Sequence, residues 1–170
     1  MYRRILVPVD GSAASTTGLE HALGLARNQD ARVRIMHVID ERILMSAMGP
    51  YGAPANITEL LGTMRTEGER TLKAAAALAA RKRVSADTAF VESRGRAVSE
   101  SILAEAKRSR ADLIVMGTHG RRGFDRLLLG SDAERVLRDA TVPVLLVRAG
   151  KAKRKTASPR KAKAPRKTAR

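Results

Sequence analysis

The chain has 170 residues and a hydrophobic share of 44%, enough for one domain with a buried core. It contains no cysteine, which excludes a disulfide framework, a thiolate metal site and a cysteine nucleophile. An aromatic content of 2% argues against single-strand nucleic-acid binding by base stacking. The formal net charge of the chain is +16. No apolar run is long enough for a membrane span or a secretory signal, so we expect a soluble cytoplasmic protein.

Short apolar runs alternate along the chain with segments of helical spacing. Unbroken apolar runs predict buried strands, and apolar residues at i, i+3, i+4 and i+7 predict amphipathic helices. In chain order, the predicted strands cover residues 5–9, 32–39, 88–91, 113–116 and 142–147. The predicted helices between them cover residues 19–26, 64–79, 98–106 and 133–140. Residues 46–56 hold two Gly and two Pro and are predicted to form a loop.

The basic residues are concentrated at the carboxyl end of the chain. Residues 151–170 contain ten Lys and Arg and no acid, so they account for ten of the sixteen net charges. Such a segment cannot bury enough apolar surface to offset the entropy lost on ordering. We therefore predict a nucleotide-binding domain over residues 1–148 and a disordered tail over residues 149–170.

The alternation of five strands with four helices predicts an α/β fold. Apolar strands joined by helices indicate a parallel sheet covered on both faces, as in doubly wound folds. In such sheets ligands bind outside the carboxyl ends of the strands, where the strand order reverses. The residues that directly follow each strand are therefore the candidates for a site.

Glycines and polar residues follow the first and fourth predicted strands. Asp10-Gly11-Ser12 follows the first strand, Gly117-Thr118-His119-Gly120 follows the fourth, and Gly130-Ser131 opens the last helix. Glycine lets the backbone come close to a ligand, and a helix N-terminus adds unpaired N–H donors that suit a phosphate. The Asp10 carboxylate can accept hydrogen bonds from ribose hydroxyls. The pattern predicts a nucleotide site.

The spacing Gly117-x2-Gly120-x9-Gly130-Ser131 resembles the ATP-binding signature of the universal stress protein family. The resemblance extends to Ile5-Leu6-Val7-Pro8-Val9-Asp10-Gly11-Ser12, to Met36-His37-Val38, and to Val142-Pro143-Val144-Leu145-Leu146-Val147, and so spans residues 1–148. It implies a five-stranded parallel sheet in the order 3-2-1-4-5. It also implies a homodimer formed through the fifth strand, and ATP, with Mg²⁺, held between the ends of strands one and four.

The resemblance also implies roles for individual residues. Asp10 and the backbone at Val38 would serve the adenosine end, and Gly130 would help to cradle the phosphate chain. Asp132 stands where a small apolar residue is common, and its carboxylate would repel phosphates unless it points away or meets a metal ion. The complete candidate set is Pro8, Val9, Asp10, Val38, Met116, Gly117, Thr118, His119, Gly120, Arg121, Gly130, Ser131 and Asp132.

Structural explanations compete with these roles. Ser131 and Glu134 have the spacing of a capping box, with Ser131 as the N-cap. Asp10-Gly11 is also typical of a turn that ends a strand. His37 lies inside a strand, where we expect a packed and hydrogen-bonded side chain. Arg121 lies in a loop, where an arginine is often simply solvated.

Two functions from different classes fit the sequence. No catalytic cysteine, GxSxG motif or convincing carboxylate pair is present, so we expect an ATP-binding stress or signalling protein, with slow ATP hydrolysis or autophosphorylation at most. The alternative is a protein that associates with DNA or another polyanion through its tail. In that tail, Ser158-Pro159-Arg160-Lys161 resembles the repeats of histone-like basic tails.

Overall fold

The computed structural model describes residues 1–42, 57–118 and 129–149, so the predicted loop of 46–56 and the basic tail lie outside the described residues. Its strands are β1 (Arg4–Pro8), β2 (Arg32–Ile39), β3 (Ala86–Glu92), β4 (Leu113–Gly117) and β5 (Val144–Val147). Its helices are α1 (Ala13–Gln29), α2 (Ile57–Arg81), α3 (Val98–Arg108) and α4 (Ser131–Asp139). Each predicted strand and helix is present.

The five strands form one parallel sheet in the order β3-β2-β1-β4-β5, as predicted. The fifth strand begins at Val144, two residues later than the apolar run. Pro143 has no N–H to give to the ladder, although its carbonyl accepts a hydrogen bond of 3.0 Å from the Ile114 N–H. Because β1 and β4 are neighbours while β2 lies on the other side of β1, the strand order reverses at β1.

Two apolar layers cover the sheet, one on each face. Leu23 of α1 and Leu72 of α2 pack with Val7 on one face, and Ile102 of α3 and Val136 of α4 pack on the other. The strands are nearly continuous apolar runs because both of their faces are buried. No described helix is long and apolar enough to cross a membrane.

Helix α1 lies directly on β4, and two glycines make this approach possible. A Cβ on Gly117 would lie 2.7 Å from the carbonyl carbon of Ala14, which is closer than real Cβ atoms come. A Cβ on Gly18 would lie 3.3 Å from the Gly117 backbone nitrogen. This contact holds the start of α1 at the carboxyl edge of the sheet, beside the ends of β1 and β4.

Candidate functional site

A cleft of 490 Å³ lies at the carboxyl edge of the sheet, between the ends of β1, β2 and β4 and the start of α4. This is the position at which doubly wound folds bind ligands. Ten of the thirteen predicted site residues fall in the described part of the chain, and all ten line the cleft: Pro8, Val9, Asp10, Val38, Met116, Gly117, Thr118, Gly130, Ser131 and Asp132. The other three, His119, Gly120 and Arg121, lie outside the described residues.

The end of β1 forms a turn that also borders the cleft. The Asp10 Oδ1 atom accepts a hydrogen bond of 3.0 Å from the Ser12 N–H, and Gly11 has a φ of 81°, a conformation that favours glycine. The Ser12 hydroxyl then caps α1 by accepting a bond of 3.1 Å from the Ser15 N–H. The two interpretations of Asp10 are therefore compatible, since it closes a turn and lines the cleft.

The end of β4 is fixed by backbone hydrogen bonds on both sides of the undescribed segment 119–128. The Thr118 N–H donates to the Val147 carbonyl at 2.9 Å, and the Gly130 N–H donates to the Thr118 carbonyl at 2.9 Å. Residue 117 is a glycine for a structural reason, because a Cβ at this position would collide with Ala14 of α1. The sequence interpretation had assigned this glycine to a ligand-facing role alone.

Helix α4 begins on Gly130, one residue before the predicted cap. The Glu134 N–H donates to the Gly130 carbonyl at 2.9 Å, which makes Gly130 the N-cap and Ser131 the first helical residue. The predicted capping box with Ser131 as N-cap is therefore wrong. Within the described residues no side chain caps this helix start, so its first N–H groups and the positive end of its dipole lie at the cleft.

Charged groups of both signs face the cleft. Asp10, Asp40 and Asp132 line it together with Arg42 and Arg135. The Arg42 guanidinium donates from Nε to one Asp40 oxygen at 2.9 Å and from Nη2 to the other at 3.1 Å. These hydrogen bonds raise the pKa of Arg42 despite its partial burial, and the charge of Asp132 contributes in the same direction. Asp132 therefore acts electrostatically on a residue of the cleft wall.

His37 is packed and hydrogen-bonded, as predicted. Its side chain is buried, and its Nδ1 atom lies 2.7 Å from the Val9 carbonyl oxygen. The ring lies 6.1 Å from that of Phe90, and a Cβ on Gly68 of α2 would come within 2.6 Å of it. The glycine in the middle of α2 is thus explained by the close approach of that helix to the histidine.

Comparison with known proteins agrees with this architecture. The model of the universal stress protein family matches residues 1–148. The chain belongs to the universal stress protein family. Universal stress protein MJ0531 of Methanocaldococcus jannaschii is 37% identical over 154 residues, which cover 87% of this chain and 83% of the relative.

Solved structures of universal stress proteins share the fold. A member of the family from Burkholderia pseudomallei has 35% identity and a TM-score of 0.69, over 86% of this chain and 96% of that one. The Archaeoglobus fulgidus universal stress protein, solved in complex with dAMP, has 22% identity and a TM-score of 0.60, over 86% and 98% of the two chains. At 22% identity, the similarity to the Archaeoglobus fulgidus protein shows a shared fold alone.

Sequence reasoning placed Val38 of β2 in this universal stress protein's cleft but missed two charged residues that come after that strand. Asp40 and Arg42 directly follow that strand, as Asp10 follows β1, and the rule applied to strands one and four would have found them. Ser15 and Met64 also line the cleft but carry no local signal, because α1 and α2 reach it through tertiary packing. Among residues 1–42, 57–118 and 129–149, no group of three His, Asp or Glu side chains could hold a metal ion.

Proposed function

We propose that this universal stress protein binds ATP with Mg²⁺ in the cleft at the ends of β1 and β4, and acts in cytoplasmic stress response or signalling. One observation carries the proposal. Helix α4 starts on a glycine, without a side-chain cap in the described residues, in the wall of the cleft that all ten described candidates line. Uncapped N–H groups at a helix start, beside a concave and partly apolar surface, are suited to a phosphorylated ligand.

The phosphate end of the site would be the start of α4. Gly130 has φ −64° and ψ 145°, angles that any residue adopts, so its backbone conformation does not require glycine. Because Gly130 has no side chain, the first N–H groups of α4 are open to an anion. The N-cap position otherwise favours Ser, Thr, Asp or Asn, whose oxygens would occupy those donors.

The adenosine end would lie between β1 and β2. Met36 and Ile102 supply apolar surface, and Val38 lines the same wall. Asp10 lines the same part of the cleft and accepts the Ser12 N–H at Oδ1, and its carboxylate would also accept a hydrogen bond from a ribose hydroxyl. A cleft of 490 Å³ falls within the size range of small-molecule sites, roughly 300–1,000 Å³.

Asp132 is the reason to include Mg²⁺ in the proposal. Its carboxylate is half-buried in the first turn of α4 and would repel a bare triphosphate. Mg²⁺ prefers carboxylate and phosphate oxygens and usually arrives with the nucleotide, so it would neutralise this repulsion. Asp132 and the phosphate chain would share the ion, since the described residues offer no cluster that would hold it alone.

Binding rather than turnover is the proposed role, because three titratable groups of the cleft already have partners and Asp132 is assigned to the metal ion. His37 contacts the Val9 carbonyl, Asp10 accepts the Ser12 N–H, and Asp40 holds Arg42. A general base needs to reach the attacking water, and these side chains are held by other partners. Any hydrolysis or autophosphorylation would be slow. The Archaeoglobus fulgidus universal stress protein shares the fold and was solved in complex with dAMP, which supports an adenine nucleotide as the ligand.

A melting experiment on the full chain tests the proposal. ATP with Mg²⁺ at millimolar concentration should raise the melting temperature, because only the folded state assembles the cleft. Gly130→Val should abolish this shift by filling the start of α4. Gly62→Val is the matched control, since Gly62 is an exposed glycine of α2 whose Cβ would meet nothing within 4 Å. An unmoved melting curve for the unsubstituted protein would refute nucleotide binding.

We also propose a homodimer formed through β5. This strand lies at the edge of the sheet, and Leu145 is 37% exposed on it. An apolar edge strand is a liability unless it is covered, and pairing with a second copy buries it in a two-fold interface. Light scattering at micromolar concentration should give a dimer mass, and Leu145→Lys should give a monomer. A monomer mass for the unsubstituted chain would contradict the proposal.

A second candidate function rests on the ten Lys and Arg of residues 151–170, which we propose to be a tail separate from the domain of residues 1–148. Such a tail would bind nucleic-acid phosphates with little sequence preference. If about five charges meet phosphates, the slope of log K against log salt should be roughly −4 to −5. Removing residues 151–170 should remove most DNA binding. Equal affinity of the truncated and full chains would exclude the tail as the cause.

A further inference from the structure

A second cleft, of 400 Å³, lies at the opposite, amino edge of the sheet. It is bordered by the starts of β1, β2 and β3 and by the carboxyl end of α3. We call it the arginine cleft, because its lining includes Arg4, Arg32, Arg34 and Arg108. It shares no lining residue with the cleft at the carboxyl edge, so the proposed nucleotide site does not account for it.

The two acids of the arginine cleft are already paired with two of its arginines. Glu105, which is 4% exposed, lies 2.6 Å from the Arg34 Nε atom and 2.7 Å from Arg108 Nη2. Asp87 forms an ion pair with Arg34. Burial by itself lowers the pKa of Arg34, but the hydrogen bonds to Glu105 and Asp87 outweigh it and raise that pKa. These four side chains therefore form a neutral network that fixes one wall of the cleft.

The remaining two arginines stand side by side. Arg4 and Arg32 occupy paired positions on β1 and β2, which puts their side chains on the same face of neighbouring strands. The Arg4 Nε atom donates to the Arg110 carbonyl at 2.6 Å, which leaves its two terminal nitrogens for other contacts. Within the described residues, Arg32 makes no ion pair, and its side chain is exposed. Like charges at paired positions repel each other.

Asp112, an acid bonded to the backbone at the start of β1, does not neutralise this pair through an ion pair. The Asp112 carboxylate accepts hydrogen bonds of 2.9 Å from the backbone N–H groups of Arg3 and Arg4, one to each oxygen. No described ion pair joins it to either guanidinium. The cleft thus contains two arginines at paired positions of neighbouring strands, and neither guanidinium has a carboxylate partner among the described residues. Guanidinium groups bind phosphate oxygens through paired N–H donors.

We propose that the arginine cleft binds a phosphate-bearing small molecule, with its phosphate between Arg4 and Arg32. The hydroxyl groups of Ser85 and Ser109, which also line the cleft, would contact the body of the ligand. The Glu105 network would act by positioning the wall rather than by touching the anion. The cleft volume of 400 Å³ leaves room for more than the phosphate group.

The test is a titration of the full chain, labelled with ¹⁵N, with inorganic pyrophosphate. Amide resonances of Ser85 and Ser109 should shift on binding. In Arg4→Gln/Arg32→Gln the affinity reported by these resonances should fall about tenfold or more, because charge-assisted hydrogen bonds are lost. The basic tail is present in both proteins, so its non-specific affinity does not enter the difference.

The matched control is Arg27→Gln/Arg70→Gln, which removes two exposed arginines that do not line the cleft. It should leave the pyrophosphate affinity unchanged. If the control and the arginine-cleft variant bind equally, or if shifts appear only at the start of α4, the proposal is overturned. Arg32→Gln alone keeps the test decisive if the double variant does not fold. Failure here leaves ATP-dependent melting untouched, so it is distinguishable from failure of the nucleotide site.

Discussion

Helices α1 and α4 begin at the same edge of the sheet, after the neighbouring strands β1 and β4, yet their first turns differ. In α1, the Ser12 hydroxyl accepts the Ser15 N–H, and Ala14 packs against Gly117. In α4, the cap is Gly130, and within the described residues no side chain accepts from the first N–H groups. One helix start is therefore closed by its own chain, and the other is left open.

Under the proposed function, this difference gives the fold one anion site where its topology offers two positions. Both helix starts have the same dipole and the same orphan N–H groups. A single hydroxyl at the N-cap satisfies such groups internally, whereas glycine leaves them for an external partner. The residue at the N-cap therefore decides which helix is used for stability and which is available for binding.

Gly117→Ala should disturb the packing of the start of α1 on β4 and give the largest change in stability. The new Cβ would lie 2.7 Å from the Ala14 carbonyl carbon, so α1 or β4 must move. We expect the free energy of unfolding to fall by about 1–3 kcal/mol, measured by urea denaturation. Gly24→Ala is the control, because its Cβ would meet nothing within 4 Å. It should raise stability by up to about 1 kcal/mol. Equal stability of the two variants would contradict the packing described for α1.

Ser12→Ala should open the start of α1 without touching the cleft. Loss of the cap should lower the free energy of unfolding by about 1 kcal/mol, in the same denaturation experiment. Ser12→Asp should retain most of that stability, since its carboxylate can accept the same N–H. Neither variant should change the ATP dissociation constant, because Ser12 does not line the cleft. A loss of ATP affinity in Ser12→Ala would mean that the cap of α1 also positions the cleft.

Gly130→Ser should give α4 the hydroxyl cap that α1 already has. Its effect on stability should be the smallest, a gain of a few tenths of a kcal/mol, since Gly and Ser differ little as N-caps. ATP affinity, measured by calorimetry, should fall because the serine oxygen competes with phosphate for the helix N–H groups. Gly130→Ala separates the two causes, as it adds bulk without an acceptor. Undiminished ATP affinity in Gly130→Ser would place the phosphates elsewhere.

The fold could be predicted from the sequence because its signals are local. Apolar runs bounded by turns mark each strand, and the alternation with helices determines the parallel sheet. The start of β5 was predicted two residues early, since apolar character alone does not register that Pro143 lacks an N–H. The N-cap of α4 was assigned to Ser131, because residue preference favours serine over the glycine before it.

The candidate site was predicted in part, and the rest depended on tertiary contacts. Glycines and polar residues after β1 and β4, together with the family resemblance that added Val38, predicted the ten described lining residues. The sequence does not show why residue 117 must be a glycine, because this depends on the distance between α1 and β4. The contributions of α2 and of Ser15 have no local pattern. The arginine cleft was missed because Arg4, Arg32, Arg34 and Arg108 come from separate segments that only strand pairing and helix packing bring together.

The hydrogen bond from the Gly130 N–H to the Thr118 carbonyl has a consequence for how such chains can change over time. It joins the two ends of the segment between β4 and α4, so the sheet and the helix are held independently of what lies between them. A change in the number of residues between Thr118 and Gly130 would therefore leave this contact between the end of β4 and the start of α4 in place.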